Sequence, residues 1–214
     1  NDDQANLERL LGKGVRGYAE SSCSTNGIMS LLKAVRLGGF KIAGLSAVIM
    51  HANTQSDNGI GAMDLRPSGS GSTREVARLL PAIGVKIDPR HVHVHAYRLP
   101  IAVGSLIDMT VRLHRGDIPG DLIGQMKAGV EDAGLTDRIR FSQRDVTAFS
   151  LGRDRSTVTI NEDVKVTKED GRVVARFALG FQNETGFTGN VLHLGHRLVS
   201  TLRGMDEAGE TSGN

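Results

Sequence analysis

The sequence has few of the residues that build disulfide-rich or membrane-spanning proteins. Its 214 residues include one cysteine, no tryptophan and only 4% aromatic residues. A single cysteine cannot form an internal disulfide, which indicates a reducing compartment, and we expect a cytoplasmic protein. No apolar run is long enough to span a bilayer and no signal-peptide pattern opens the chain, so we expect no membrane association.

An excess of charge of one sign is also missing. The 26 basic and 24 acidic side chains leave a net charge of +2, which provides no basic surface for a polyanion, and we expect no nucleic-acid partner. Hydrophobic residues make up 39% of the chain and charged residues 23%. These proportions are typical of a globular domain, and the length is sufficient to bury a sizeable core.

Strand-like segments outnumber helical ones along the chain. Helical spacing is predicted over residues 25–37, 73–80, 119–133 and 188–202, and strands over 42–50, 86–99, 104–113, 156–160, 164–167 and 172–179. Several strands adjoin as hairpins, which predicts an α+β fold with a mixed, largely antiparallel sheet and helices on one face.

The composition also suggests how the chain is organised. Residues 52–72 are rich in glycine, serine and asparagine and are predicted to form a long loop. We expect a lead-in over residues 1–20, one domain over 21–203 and a polar C-terminal tail over 204–214.

The lone cysteine, Cys23, lies in the polar stretch Ser-Ser-Cys-Ser-Thr-Asn-Gly, where an apolar helical run begins. The N–H groups and the dipole at a helix N-terminus stabilise a thiolate, which predicts a reactive cysteine with a lowered pKa. The alternative is a small, buried and inert thiol. The hydroxyl-rich surroundings favour the reactive interpretation.

Three further positions are candidates for a site around this cysteine. His51 ends a predicted strand and begins a polar loop, which suits a general base, although six other histidines compete. Arg98 follows a strand-like segment and is placed to bind an anion. The Ser70-Gly71 pair precedes a predicted helix, where backbone N–H groups can hold phosphate.

A glycine motif near the N-terminus invites a nucleotide-binding interpretation. Residues 12–17, Gly-Lys-Gly-Val-Arg-Gly, spell G-x-G-x-x-G. No strand precedes this motif, no long helix follows it, and no acidic ribose ligand fits before Cys23. We interpret it as a flexible connection.

Alternating histidines at positions 91, 93 and 95 suggest a metal site on one strand face. A polar or interfacial strand face, with Val92 and Val94 in the core, explains the same pattern. We favour that interpretation and predict no metal.

Five short motifs occur in order along the chain. They are Ser-Cys-Ser-Thr-Asn at 22–26, His-Ala-Asn-Thr at 51–54, Ala-Tyr-Arg-Leu-Pro at 96–100, Leu-Ile-Asp-Met-Thr-Val-Arg-Leu at 106–113 and Gln-Asn-Glu-Thr-Gly-Phe at 182–187. Together they resemble the catalytic, C-terminal domain of the glyceraldehyde-3-phosphate dehydrogenase family. The resemblance implies the α+β fold of that domain and identifies residues 21–203 as a catalytic domain.

The resemblance also implies a chemistry. Cys23 would add to an aldehyde to give a hemithioacetal, His51 would accept its proton as hydride leaves, and phosphate would attack the resulting thioester. Asn183 would hold the nicotinamide carboxamide. The sites for substrate phosphate and inorganic phosphate would comprise Ser22, Thr25, Thr54, Ser70, Gly71 and Arg98.

The cofactor implied by the resemblance is NAD or NADP, but we expect this chain alone not to bind it. Only 22 residues precede Cys23, too few for a βαβ unit of about 30 residues. We therefore expect a homo-oligomer or a complex with a dinucleotide-binding domain or chain. The expected substrates are an anionic aldehyde or thioester and phosphate.

The chain departs from the family pattern at two motif positions. Gly27 stands where the family usually has a second cysteine, and Phe187 stands where it has a tyrosine. Two other functions stay open: a redox-independent cysteine enzyme of acyl transfer, thioester hydrolysis or carbon–carbon chemistry, and a non-catalytic binding or regulatory subunit.

Overall fold

The fold is described from a computed structural model of the chain. It describes residues 9, 13, 22–52, 66–68, 71–99, 104–114, 120–147, 151, 156–182, 188, 191–192 and 194–203. The chain divides into two compact units, one of Ser21–Phe187 and one of Asn1–Glu20 with Thr188–Asn214. Among the described residues, no helix has the length and apolar character needed to cross a membrane.

The described part of the larger unit contains runs of two to four strands separated by helices. Its helices are α1 (Cys23–Leu37), α2 (Ser72–Leu79) and α3 (Leu122–Asp132), with 3-10 turns at Leu80–Ile83 and Pro89–His91. Its strands are β1 (Ile42–Ala52), β2 (Arg66–Ser68), β3 (Val92–Leu99), β4 (Ser105–Leu113), β5 (Ile139–Ser142), β6 (Val158–Asn161), β7 (Lys165–Glu169) and β8 (Arg172–Phe181).

These strands form one sheet in the order β2-β3-β1-β4-β8-β6-β5, with β7 paired to β8. The β1–β3 and β5–β6 pairs are parallel. The β1–β4, β2–β3, β4–β8, β6–β8 and β7–β8 pairs are antiparallel. The predicted α+β class, with a mixed and largely antiparallel sheet, is therefore confirmed.

Strand β3 buries one face and exposes the other. Val92 and Val94 are buried in the core, whereas His93 and His95 are exposed. This alternation follows from the two-residue period of a strand and confirms the polar-face interpretation of the histidines. Among the described residues, no group of three or more histidine, cysteine, aspartate or glutamate side chains is placed to hold a metal ion.

Helix α1 carries the buried stripe that attaches it to the sheet. Ile28, Leu31, Leu32 and Val35 are fully buried, and their spacing is that of one helical face. The helix begins after Ser22, whose side chain accepts a hydrogen bond from the Thr25 N–H. Burial of this stripe therefore fixes where the first turn of α1 lies against the sheet.

Three short elements differ from the predictions. Strand β2 lies within the predicted loop 52–72, and β5 has no predicted counterpart, because strands of three and four residues are too short to show a period. Residues 86–91 are predicted as part of a strand, but they do not form one in the structure. There Asp88 caps a 3-10 turn that has Pro89 at its start, and β3 begins only at Val92.

In the second unit, residues 191–192 and 194–203 are helical, which extends one residue beyond the predicted range 188–202. The Thr201 hydroxyl donates to the Arg197 carbonyl at 2.8 Å, one helical turn earlier.

Candidate active site

Sheet register brings three site residues to one edge. His51, near the end of β1, is paired with Arg98 on the parallel strand β3 and with Ser105 at the start of the antiparallel strand β4. The C-terminal ends of β1 and β3 and the N-terminal end of β4 therefore meet at His51. The start of α1, with Cys23 as its first residue, is joined to this edge through Ser24.

The imidazole of His51 is fixed at both nitrogens. Its Nδ1 lies 3.0 Å from the Ser105 hydroxyl, and its Nε2 lies 3.4 Å from the Ser24 hydroxyl. The ring of Phe181 meets it edge to face, with centroids 6.2 Å apart at 86°. Ser105 is fully buried and Ser24 nearly so. The ring is therefore held between two buried hydroxyl groups.

Cys23 is half-buried, and burial raises the pKa of its thiol. Hydrogen bonds from the backbone and hydroxyl of Ser24, the Cys23 N–H and the charge of Arg98 all act to lower that pKa, but burial outweighs them. The prediction of a lowered thiol pKa is therefore wrong. A helix N-terminus favours a thiolate, but removing water from the sulfur costs more here.

The pKa of His51 is lowered, first by burial and second by the positive charge of Arg98. The ring is therefore neutral at pH 7 and can accept a proton. Arg98 also donates from Nη1 to the Ala52 carbonyl at 3.1 Å, which holds the guanidinium beside the end of β1. The charge of Arg98 thus lowers the pKa of both the Cys23 thiol and the His51 imidazole.

A second cluster lies on another side of the α1 N-terminus. The Thr25 hydroxyl donates to Glu75 Oε2 at 2.7 Å, and the Ser22 hydroxyl lies 3.3 Å from the same oxygen. Glu75 belongs to the first turn of α2, which begins after Gly71. Its other oxygen is 4.0 Å from where a Cβ atom on Gly71 would lie. Three residues expected to bind phosphate therefore surround a carboxylate.

Comparison with known proteins identifies the fold that carries this site. The family described as "Glyceraldehyde 3-phosphate dehydrogenase, C-terminal domain" matches residues 22–176. The chain belongs to the glyceraldehyde-3-phosphate dehydrogenase family. The match begins at Ser22 and includes Cys23, Ser24, His51, Glu75, Arg98 and Ser105, whereas Phe181 lies just beyond its end.

Individual relatives of the glyceraldehyde-3-phosphate dehydrogenase family are distant. The chain is 25% identical to the glyceraldehyde-3-phosphate dehydrogenase of Shimwellia blattae and 24% identical to those of Escherichia coli K12 and Salmonella typhimurium, each over 203 residues. Each match covers 89% of this chain but 58% of the relative. The chain therefore spans less than two thirds of the length of these relatives.

Within this glyceraldehyde-3-phosphate dehydrogenase domain, the predicted site residues fall into two described groups and one undescribed set. Cys23, His51 and Arg98 interact around one sheet edge, and Ser22, Thr25 and Gly71 surround Glu75. Thr54, Ser70 and Asn183 lie outside the described residues.

Three residues at the site have no counterpart among the predicted ones: Ser24, Ser105 and Glu75. Ser24 adjoins the cysteine, and an acidic residue in the first turn of α2 is visible in the sequence. Ser105 becomes a candidate only once the β1–β4 register is known.

Proposed function

We propose that this chain is the catalytic domain of a dehydrogenase that oxidises an anionic aldehyde through a cysteine-bound intermediate. The observation that carries the proposal is the continuous arrangement of Cys23, Ser24, His51 and Ser105 at the start of α1. A nucleophile next to a base that is itself oriented by a third group is the arrangement required for covalent catalysis.

In this proposal Ser105 sets the proton on His51. When Nδ1–H donates to the Ser105 hydroxyl, Nε2 carries the lone pair and points toward Ser24. The Ser24 hydroxyl bonds both groups, so it can donate its one proton to Nε2 while it accepts that of the thiol, and then donate to the thiolate. The imidazole returns the proton to the aldehyde oxygen as sulfur adds, and accepts it again from the hemithioacetal hydroxyl as hydride leaves.

Arg98 supplies the positive charge of the site. Its charge favours the thiolate of Cys23 and disfavours a protonated His51, which keeps a nucleophile and a base side by side. The same charge would attract the anionic group of an aldehyde substrate. The substrate class is therefore a phosphorylated or otherwise anionic aldehyde.

The described residues do not fit a dinucleotide by themselves. Pyrophosphates bind at free helix N-termini, but the N-terminus of α1 holds Cys23, that of α2 lies beside Glu75, and that of α3 is capped by the Asp121 carboxylate. We propose that NAD or NADP, the hydride acceptor of the reaction, is held by a dinucleotide-binding domain or chain that pairs with this one.

Calorimetry on the 214-residue chain tests the cofactor assignment. We expect no micromolar binding of NAD to the chain alone. Micromolar binding would place a cofactor site within this chain and overturn the assignment.

Assembly and location belong to the same proposal. The face of the sheet that exposes His93 and His95 also exposes Val48, which is paired with His95 and has 38% of its surface exposed. An apolar side chain on an otherwise polar face supports a homo-oligomer or a complex. The free thiol of Cys23 supports a reducing, cytoplasmic location.

The redox-independent cysteine enzyme is the second candidate function. The observation that favours it is a carboxylate at the start of two described helices, Glu75 in the first turn of α2 and Asp121 before α3, which disfavours a pyrophosphate there. Its chemistry shares the acyl-cysteine step, so the test below applies to both enzymes. The test separates them from a non-catalytic subunit.

Acylation by 4-nitrophenyl acetate tests the nucleophile without any cofactor. We expect a burst of one equivalent of 4-nitrophenol per chain, with the acetyl group on the peptide that contains Cys23. The Cys23→Ala variant should show no burst, and the exposed His93→Gln variant should behave as wild type. A chain that gives no burst at pH 8, or whose burst survives in Cys23→Ala, would overturn the proposal.

A further inference from the structure

We propose that Glu75 fills the site for the acyl acceptor, so that water rather than phosphate releases the acyl group from Cys23. This inference rests on the proposed function, because it concerns the fate of the thioester formed there. It names Glu75 as the residue that selects a neutral acceptor over an anionic one.

The position of the Glu75 carboxylate carries the first step. It accepts from the Thr25 hydroxyl at 2.7 Å, and its Oε2 lies 3.3 Å from the Ser22 hydroxyl. Its Oε1 faces Gly71 across 4.0 Å, measured to a Cβ position on that glycine. A carboxylate between two hydroxyls and a helix start occupies the position that an acceptor anion would take.

The hydroxyl protons of this cluster are already used. Each hydroxyl has one proton to donate. The Thr25 hydroxyl donates to Glu75, and among the described residues the acceptors within reach of the Ser22 hydroxyl are Glu75 and the Thr25 hydroxyl, 2.8 Å away. The Thr25 N–H is directed at the Ser22 oxygen at 3.3 Å. A phosphate entering here would have to displace the carboxylate to obtain these donors.

Charge gives a second and independent reason. Phosphate would approach a carboxylate of the same sign at hydrogen-bond distance, and like charges that close repel one another. Water carries no charge and can both donate to the carboxylate and accept from a hydroxyl. The cluster therefore disfavours an anionic acceptor and tolerates a neutral one.

The release step balances without an oxidant or a reductant. The oxygen of water attacks the acyl carbon on Cys23, and its proton passes to Nε2 of His51, which is neutral because burial lowers its pKa. The C–S bond breaks and sulfur leaves as a thiolate, which takes the proton back from the imidazolium. The products are a carboxylic acid and the free thiol.

Deacylation of the acetylated chain tests the acceptor directly. The 214-residue chain is acetylated with 4-nitrophenyl acetate, and release of the acetyl group is followed in phosphate and in potassium chloride of equal ionic strength. Phosphorus NMR reports any acetyl phosphate. In the wild type we expect the same rate in both salts and no acetyl phosphate.

Two variants at Glu75 should change that result. Phosphate should accelerate deacylation of Glu75→Ala by about tenfold, the effect of restoring a hydrogen bond to a charged group, and acetyl phosphate should form. Glu75→Gln removes the charge but keeps the shape and should show a smaller acceleration. Glu131→Ala removes one exposed carboxylate on α3 and should behave as wild type.

Thermal unfolding tests phosphate binding without any acyl chemistry. Relative to chloride, phosphate should raise the Tm of Glu75→Ala more than that of the wild type, in which Arg98 is the same and only the Glu75 cluster differs. The additional rise should disappear in Ser22→Ala/Glu75→Ala, because one of the freed donors is gone. Each variant is compared with itself in the two salts, so its own loss of stability cancels.

The outcomes separate this inference from the proposed function. Phosphate-dependent deacylation of the wild type, or a Glu75→Ala variant on which phosphate has no greater effect than on the wild type, would overturn the role of Glu75 and leave the burst intact. A chain without a burst would overturn the proposed function, while the unfolding measurement would still decide whether Glu75 excludes phosphate.

Discussion

Two clusters share the N-terminus of α1, and they differ in charge. On one side Ser24, His51 and Ser105 form a buried, uncharged chain of hydrogen bonds beside the cation Arg98. On the other, Ser22 and Thr25 face the carboxylate of Glu75. The two clusters use different positions of the same helical turn.

The difference follows from helix geometry. Residues three apart project to the same side of a helix, so Ser22 and Thr25 act together, whereas Ser24 projects to another side. The first turn of α1 can therefore present one hydroxyl to the imidazole of His51 and two others to the carboxylate of Glu75. The chemistry expected at each side is correspondingly different: proton transfer at the first and discrimination between acceptors at the second.

The largest effect should come from removing the base. With a thiol pKa raised by burial, Cys23 depends on His51 to accept its proton, and loss of a general base costs about 10²- to 10⁴-fold in rate. We expect His51→Gln to slow acylation by 4-nitrophenyl acetate by that factor at pH 7, with His93→Gln as the matched control. Equal rates in the two variants would show that the uncharged cluster takes no part in the reaction.

The place of His51 at the edge of the sheet could be predicted in part from sequence, because it ends a buried strand and begins a polar loop. The class of the fold could also be predicted, since β1, β4 and β8 are long apolar segments, and β4 alternates buried with partly buried residues along its whole length. Both rest on local patterns. Neither pattern contains information about which strand ends meet.

Ser105 and Glu75 illustrate what local patterns omit. Ser105 acts on His51 only because β1 and β4 pair in one particular register, across 53 intervening residues. Glu75 reaches Thr25 because α2 packs near the start of α1, and the sequence offers only an acidic residue in a first helical turn. The predicted direction of the Cys23 pKa shift is wrong for a related reason. The helix dipole can be inferred from local sequence, but burial of the thiol depends on the whole fold.

The second-largest effect should come from the charged cluster and should appear in stability. Thr25→Val removes a fully buried hydroxyl that donates to Glu75 while keeping the shape of the side chain. A hydrogen bond to a charged group contributes about 1.5–3 kcal/mol, and we expect a loss of that order in urea unfolding. In a Glu75→Ala background the same substitution should cost much less. Equal losses in both backgrounds would mean that the two side chains are not coupled.

A smaller effect is expected from the residue that orients the base. Ser105→Ala leaves His51 Nδ1 without its partner at 3.0 Å, so the proton is no longer fixed on that nitrogen. We expect acylation to slow by about tenfold at pH 7, which corresponds to the free energy of one hydrogen bond that orients the imidazole. At a pH well above the thiol pKa the cysteine is already a thiolate and needs no base, so the rate should return to that of the wild type. A deficit that persists there would indicate general disruption instead.

The smallest effect concerns the cation that both pKa values share. The positive charge of Arg98 lowers the pKa of Cys23 and of His51, so Arg98→Ala should raise both, whereas Arg98→Lys should change them less. Iodoacetamide labelling against pH reports the first, and proton NMR of the imidazole reports the second. If only one of the two pKa values changes, Arg98 does not act on Cys23 and His51 together, and the two residues belong to independent clusters.

The same substitution has a consequence for stability in acid. The folded pKa of His51 lies below its ordinary value of 6.5, so the unfolded chain binds the proton more readily, and stability is lost as pH falls through 6.5. Because Arg98→Ala raises the folded pKa toward 6.5, its stability should fall less steeply over that interval than that of the wild type. Urea unfolding at a series of pH values measures the slope. A steeper acid loss in Arg98→Ala than in the wild type would contradict the assignment of Arg98 as the charge acting on His51.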